Sequence, residues 1–499
     1  MENGSTPNWL KQRAFLTPNR IALISSIKQY TFQELWERTK SIAGKIKTAT
    51  LHAESWCMGL LIKNTEQSVL LIHALQQLGI SAVLLNNKLS AKELDFQLND
   101  MGLKMVIYDE SFQGKINELA SWNSNVNMLS ISTLQTFNET PFEQIETFSF
   151  EKVCSVMYTS GTTGKPKGVL QTYGNHWWSA IGSSLNLGLH EKDMWLCAVP
   201  LFHISGYSIL MKSVIYGMPV RLYESFDVSE INYELKQGKV TIMSVVTNML
   251  NRMMNELRAG DSYHENFRCM LLGGGPAPLP LLETCKERNI PVFQTYGMTE
   301  TSSQIVTLSP EYSISKLGSA GKPLFPAEIK IMKNNKRALP YEEGEIYVKG
   351  PNVTKGYYKR EEANENSFVG EWFQTGDIGY VDEEGFLFML DRRSDLIISG
   401  GENVYPAQIE ETLLSYPTVM DVGVVGIPSS KWGEVPCAFV VTKQKNVSEE
   451  ELLLHCRQHL ASYKTPKKFI FVDELPRNAS NKLLRRVLKD WWKKELNQE

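Results

Sequence analysis

The chain has 499 residues, enough for about three domains of ordinary size. Hydrophobic residues make up 42% and charged residues 21%, which excludes a disordered tail. With 52 Lys plus Arg against 55 Asp plus Glu, the net charge is −3, which excludes a protein whose main work is gripping nucleic acid through its phosphates. The start, MENGSTPNWLKQRAFLTP, lacks the basic-then-apolar order of a signal peptide. The run SVLLIHALQQLGISAVLL is broken by His73, Gln76 and Gln77, so no membrane span is expected. Seven scattered cysteines without a CxxC indicate neither a disulfide framework nor a zinc-thiolate site, and a cytoplasmic protein is expected.

Short apolar runs alternate with helical stretches over the first hundred residues. IALISS (21–26), GLLIKN (59–64), SAVLLNN (81–87) and KMVIYDE (104–110) read as strands. Between them, Thr31-x-x-Glu34 and Ser90-x-x-Glu93 are capping boxes, and 65–79 has helical length ending at Gly79. Continuous apolar strands alternating with helices predict a parallel sheet covered on both faces. The theme repeats in KVCSVMY (152–158), VTIMSVV (240–246), RCMLLGG (268–274) and PVFQTYG (291–297). After about residue 310, Gly and Pro become frequent between short alternating runs, which reads as a small β-barrel over about 311–390. The last hundred residues read as helix 406–415, strands 421–427 and 437–442, helix 448–461, strand 468–472 and a basic tail. The expected fold class is therefore α/β: a large lobe over 1–390 and a small α+β domain over 391–499, joined at a hinge in 391–395.

Residues 158–168 read YTSGTTGKPKG and directly follow a predicted strand. Glycines let backbone N–H groups approach an anion, hydroxyls donate to it and lysines neutralise it, so the loop is a phosphate cradle. It is not a Walker A loop, because Lys165 is followed by Pro166 and the spacing differs. A flexible surface loop is the plainer alternative, but it gives no reason for the hydroxyl density.

This segment resembles the signature loop of the adenylate-forming enzymes, and further stretches resemble that family's motifs in order: LFHISG (201–206), GGGPAP (273–278), YGMTE (296–300), TGD (375–377), DRRSDLIISGGENVYPAQIE (391–410) and NASNKLLR (478–485). The resemblance implies an acid activated by ATP, with Mg2+, to an acyl-adenylate and then transferred to coenzyme A. It implies nucleotide contacts from Thr159, Ser160, Gly161, Thr162, Thr163, Lys165, Gly274, Gly275, Tyr296, Gly297 and Thr299. Asp377 and Arg392 would meet the ribose, and Glu300 the magnesium. Lys482 would be the catalytic ammonium that offsets charge on the α-phosphate. The small domain would rotate about Ser394, where many relatives carry Asp or Lys, and bring Gly400 and Gly401 to the pantetheine.

Within the family, PLFHISG and GGGPAPLPLL at these offsets resemble the branch that activates 2-succinylbenzoate for menaquinone synthesis more than the fatty-acid or acetate branches. That resemblance places His203 at the acyl site, in the catalytic and substrate-binding sets. The nearly apolar helix predicted over 204–216 carries Lys212, and Arg221 follows on the next predicted strand. A buried cation there would suit a substrate with a second, unreacted carboxylate, whereas a Lys212 that snorkels to solvent would not. Two alternatives stay open: another aryl- or acyl-CoA ligase, and a non-catalytic nucleotide-sensing module. Monomer and homo-oligomer both remain open. His455 and His459 lie i,i+4 but lack a spaced acidic partner, so a surface face is expected rather than zinc. Trp491 and Trp492 read as part of a docking helix.

Overall fold

The computed structural model describes residues 4–496 apart from 51–54, 161–165, 259, 275–276, 278, 393–394, 396, 405, 444–446, 477–482 and 484. Local signals in the first hundred residues produce the expected elements. Thr31 accepts from the Glu34 amide while the Glu34 carboxylate accepts from the Thr31 amide, which starts the helix Phe32–Ala49. Ser90 and Glu93 make the same reciprocal pair. Gly79, at φ 67°, ends the helix Glu66–Leu78.

Contacts divide the chain into two compact units, one of residues 1–87, 98–158 and 168–390 and one of 88–97, 159–167 and 391–499. The first contains a six-stranded sheet in the order Pro166–Thr172, Val153–Ser160, Ser81–Leu84, Cys57–Leu61, Met105–Tyr108, Asn127–Ser130. From Val153–Ser160 to Asn127–Ser130 the neighbours pair in parallel. Every residue of Cys57–Leu61, Ser81–Leu84 and Met105–Tyr108 is buried, as a sheet covered on both faces requires.

The predicted first strand lies elsewhere. Ile21–Ile24 pairs in parallel with Val220–Leu222 and antiparallel with Gln29–Thr31, at the end of a second, longer sheet. Its centre is parallel, running through Trp195–Cys197, Ile242–Val246, Cys269–Gly273 and Val292–Met298. Strand character is local, but the choice of sheet depends on which edge stands open when the segment docks, and the period-2 pattern does not carry that information.

The β-barrel expected over about 311–390 is not closed. Ser303–Leu308 turns back antiparallel along Val292–Met298, and the edge this leaves is taken by Ser319–Pro323, then Leu387–Arg392, Trp372–Val381, Gly344–Lys349 and Glu328–Lys333. The alternating segment therefore extends the second sheet as an open wing, joined to it along one edge.

In the second unit, Val419–Ser429 and Gly433–Thr442 form a long antiparallel hairpin, with Lys468–Phe471 parallel to the latter strand. Val424, Ala438 and Val440 pack with Leu452 and Cys456 on one face, while Val425, Cys437 and Phe439 pack with Leu488 on the other. Arg485 ties these layers together. Its guanidinium reaches both Glu410 oxygens at 2.7 Å and Asp395 at 3.1 Å. All seven cysteines are buried and free. Among the described residues, no helix is long and apolar enough to cross a membrane.

Candidate active site

The strand Val292–Met298 carries Tyr296 and Gly297 to the point where the second sheet changes from parallel to antiparallel. A Cβ on Gly297 would lie 2.1 Å from the Ser303 carbonyl oxygen, so only glycine lets the returning chain approach this closely. Between the two strands lies the turn Thr299–Thr301, followed by Ser302 and Ser303 at φ 54° and 112°. Such backbone persists only when its surroundings over-determine it, and four successive carbonyls are fastened here by donors from other parts of the chain. Thr299 O accepts from Gln171 Nε2 (2.9 Å), Glu300 O from the Thr354 amide (2.7 Å), Thr301 O from Asn352 Nδ2 (3.1 Å) and Ser302 O from Ser179 Oγ (2.7 Å). The Glu300 carboxylate is buried and accepts from the Tyr357 hydroxyl at 3.0 Å.

Asp377 is aimed by a local irregularity. Gly344 pairs with Gly379 but Val348 with Phe373, so four steps on one strand face six on the other. The extra residues bulge at TGD and turn the carboxylate out of the ladder pattern. Tyr296 is 6% exposed, and its hydroxyl donates to Asp377 Oδ2 at 2.7 Å. The structure thus joins two residues that lie 81 positions apart. Thr299 and Glu300 lie three and four residues beyond Tyr296, and Gly274, at φ 84°, directly follows the neighbouring strand Cys269–Gly273.

The predicted acyl-site residues do not share one fate. His203 immediately precedes the helix Ile204–Tyr216, with its ring 4.6 Å from that of Phe202. Lys212 does not snorkel: it is 2% exposed, its Nζ 3.5 Å from Gln304 Oε1 and 5.2 Å from the centre of the Trp195 ring. Burial pulls its ammonium down from 10.5 to about 7. Arg221 is not beside it in any such role. Its guanidinium pairs with Glu234 at 3.2 Å, donates to Ser25 O at 3.0 Å and lies over the Tyr223 ring, while its buried Nε has no hydrogen-bond partner. The expected second substrate-facing cation is thus ion-paired within the chain.

Pattern reading missed a buried polar chain behind Lys212. Gln171 donates from Nε2 to Thr299 O, so its Oε1 faces Ser155 Oγ at 2.7 Å and must accept. The single Ser155 proton is used there, so Ser155 accepts from His176 Nε2 at 2.9 Å. His176 is therefore the Nε2–H tautomer, and its buried Nδ1 has no hydrogen-bond partner. Burial, then the charge of Lys212, pull His176 down to about 3. Ser155 and Gln171 lie on the strands Val153–Ser160 and Pro166–Thr172 and His176 on the helix Tyr173–Leu187, and only the packing brings them into line.

In the second unit, Thr159 and Ser160 end the strand Val153–Ser160, and Arg392 closes Leu387–Arg392. Ile397 pairs with Val404 and Ser399 with Glu402, leaving Gly400 and Gly401, at φ 60° and 86°, as a two-residue hairpin turn. Two successive positive φ values make a primed turn, which accounts for the Gly-Gly pair locally. Gly161, Thr162, Thr163, Lys165, Gly275, Ser394 and Lys482 lie outside the described residues. His455 Nε2 is 3.0 Å from Thr412 O, and the described residues hold no cluster of three or more metal-ligating side chains.

The model of the AMP-binding enzyme family matches residues 10–358, and that of the AMP-binding enzyme C-terminal domain matches 408–482. The chain belongs to this family. A 2-succinylbenzoate–CoA ligase of Geobacillus kaustophilus (strain HTA426) is 57% identical over 485 residues, 97% of each chain. Solved structures of o-succinylbenzoate CoA synthetase (MenE) from Bacillus subtilis are also similar. A double mutant bound with the product analogue OSB-NCoA superposes with TM-score 0.93 at 52% identity, covering 98% of this chain and 99% of that one. The complex with the acyl-adenylate OSB-AMP gives TM-score 0.76 at 52% identity, with the same coverage. The complex with ATP and magnesium ion gives 0.76 at 51%, covering 98% of this chain and 100% of that one.

Proposed function

We propose that the chain converts 2-succinylbenzoate to 2-succinylbenzoyl-CoA in menaquinone biosynthesis, through an acyl-adenylate, with release of pyrophosphate and AMP. The observation that carries this reading is the 57% identity to a ligase of that acid across 97% of both chains. The enzyme is an acid–thiol ligase acting on ATP, its acid and coenzyme A, with magnesium. It works in the cytoplasm on small molecules.

In the first half-reaction a substrate carboxylate oxygen attacks the α-phosphorus and pyrophosphate leaves. Asp377, oriented by the Tyr296 hydroxyl, receives the ribose hydroxyls. Thr159, Ser160 and the glycine-rich segment after them cradle the phosphates. The Glu300 carboxylate is a hard oxygen donor on a fastened turn and would hold the magnesium. That ion supplies charge neutralisation on the triphosphate. Lys482 places an ammonium against the charge that builds on the phosphoryl oxygens. His203 flanks the acyl group, and Lys212 receives the carboxylate that does not react. In the second half-reaction the coenzyme A thiol displaces AMP, reaching the acyl carbon past the Gly400–Gly401 turn.

Thioester formation from a panel of acids, read by mass spectrometry, tests the reading. The expected result is 2-succinylbenzoyl-CoA with one AMP per thioester, in strong preference to benzoate and medium-chain acids. Preference for any of those acids overturns it. Lys482→Ala should lower pyrophosphate release by at least about 100-fold.

A further inference from the structure

The setting of Lys212 implies more than a contact. The helix that carries it, Ile204–Tyr216, is buried along most of its length, and Lys212 lies in its last two turns among neutral groups. Its hydrogen-bond partner among the described residues is Gln304 Oε1, and the Gln304 amide is itself held through Nε2 to Thr307 Oγ1 at 3.3 Å. The Trp195 ring is pinned by its Nε1 to Ser244 Oγ at 3.1 Å. Among the described residues, no carboxylate lies within ion-pair distance of Lys212. A ring face and one amide oxygen at 3.5 Å compensate a full positive charge removed from water far less than a carboxylate would, and a buried charge so weakly paired responds by discharging.

The titratable groups on the surrounding elements do not change that balance. His176, on Tyr173–Leu187, is neutral with its bare Nδ1 lone pair, and Tyr173 beside it is held protonated by burial. Cys197 and Cys269, on neighbouring strands, are pushed up to about 12 by burial and stay thiols. Arg13, on Trp9–Leu16, donates to the carbonyls of Val214 and Ile215, and Arg221 is paired with Glu234. The site can therefore shed its charge when empty and cannot shed it once an anion arrives.

We propose that the enzyme takes up the unreacted carboxylate of its substrate together with a proton, Lys212 being a neutral amine in the empty site and an ammonium in the complex. The inference rests on the reading of Lys212 given under the proposed function. The balance is simple: a solvent proton joins the Nζ lone pair, the dianionic acid enters, and an ammonium–carboxylate pair forms in a dry site. An amine that is uncharged until its partner arrives selects for a second carboxylate, because a monocarboxylate brings nothing to hold the proton in place. It also spares the unliganded fold a buried cation.

The sign follows from linkage. Below the empty-site value of about 7 the proton is already present and affinity does not change with pH. Above it, binding needs one proton, and affinity for the dicarboxylate falls about tenfold per pH unit until the pKa of the complex is reached. The experiment is calorimetric titration of 2-succinylbenzoate into the full-length enzyme saturated with a non-hydrolysable ATP analogue, above pH 7, in two buffers of different ionisation enthalpy. It is paired with KM for pyrophosphate release against pH, for 2-succinylbenzoate and for an analogue lacking one carboxylate. Uptake of about one proton by wild type, with a KM rise confined to the dicarboxylate, is expected. Lys212→Arg, permanently charged, should keep the dicarboxylate preference and lose the proton uptake. Buffer-independent heats in wild type overturn the proton coupling while leaving the carboxylate contact standing. A Lys212→Met enzyme that still prefers the dicarboxylate overturns the contact, and the coupling with it. Turnover of the monocarboxylate analogue reports whether each variant is folded, and the wild-type calorimetry decides the coupling without them.

Discussion

Two buried polar regions of the first unit are treated in opposite ways. In the turn Thr299–Ser303, each of four carbonyls in a row meets a donor from elsewhere in the chain, and Ser302 and Ser303 are held at positive φ. Around Lys212, an amine sits against neutral groups and the imidazole lone pair of His176 has no partner. The first region spends its hydrogen bonds on holding one backbone path, which suits the magnesium role proposed for the Glu300 carboxylate. The second leaves its polar capacity unspent, which is the setting the proposed carboxylate contact of Lys212 calls for. Satisfaction and its absence are thus both readable as function within one core.

Variants can break this contrast. The largest effect is expected at Lys212. Lys212→Met should raise KM for 2-succinylbenzoate by about 100-fold, the loss that follows when a buried charge loses its partner, and change KM for the monocarboxylate analogue little. The same change should raise the melting temperature of the empty enzyme at neutral pH. Since the folded value is lowered from 10.5 to about 7, the unfolded chain binds more protons between those limits. Wild-type stability should therefore rise with pH across that window and level off below it, while the Met variant loses that slope in thermal melts.

The turn should respond differently. Glu300→Gln should lower kcat/KM for ATP by about tenfold or more and raise the magnesium concentration needed for half-maximal adenylation, with KM for the acid unchanged. Asn352→Ala leaves the Thr301 carbonyl without its donor and should cost about 1–3 kcal/mol in denaturant unfolding, with a smaller version of the magnesium defect. An unchanged magnesium requirement in Asn352→Ala would show that the clamp serves stability alone. The smallest effect is expected from Tyr357→Phe, which removes one hydroxyl donor from Glu300 and should cost about 1 kcal/mol in adenylation.

The local chemistry of the chain was legible wherever neighbouring residues sufficed to define it. The reciprocal caps at Thr31–Glu34 and Ser90–Glu93, the left-handed stop at Gly79 and the fully apolar strands of the first sheet follow from spacing alone. The order of the motifs was enough to place the chain in its family. Three expectations needed the folded molecule. Ile21–Ile24 joined the second sheet, the alternating segment after residue 310 became an open wing, and Arg221 found Glu234.

The sequence by itself determined most of the segments that become helices and strands and the family to which the chain belongs, because each is written in residues close together along the chain. Tertiary structure alone decided that Tyr296 orients Asp377, that Gln171 and Asn352 fasten the turn carrying Glu300, and that Lys212 is sealed among neutral groups. The physical reason is that burial and hydrogen-bond satisfaction are properties of a whole environment. A side chain's charge and orientation are set by every element packed around it, and those elements arrive from distant parts of the chain.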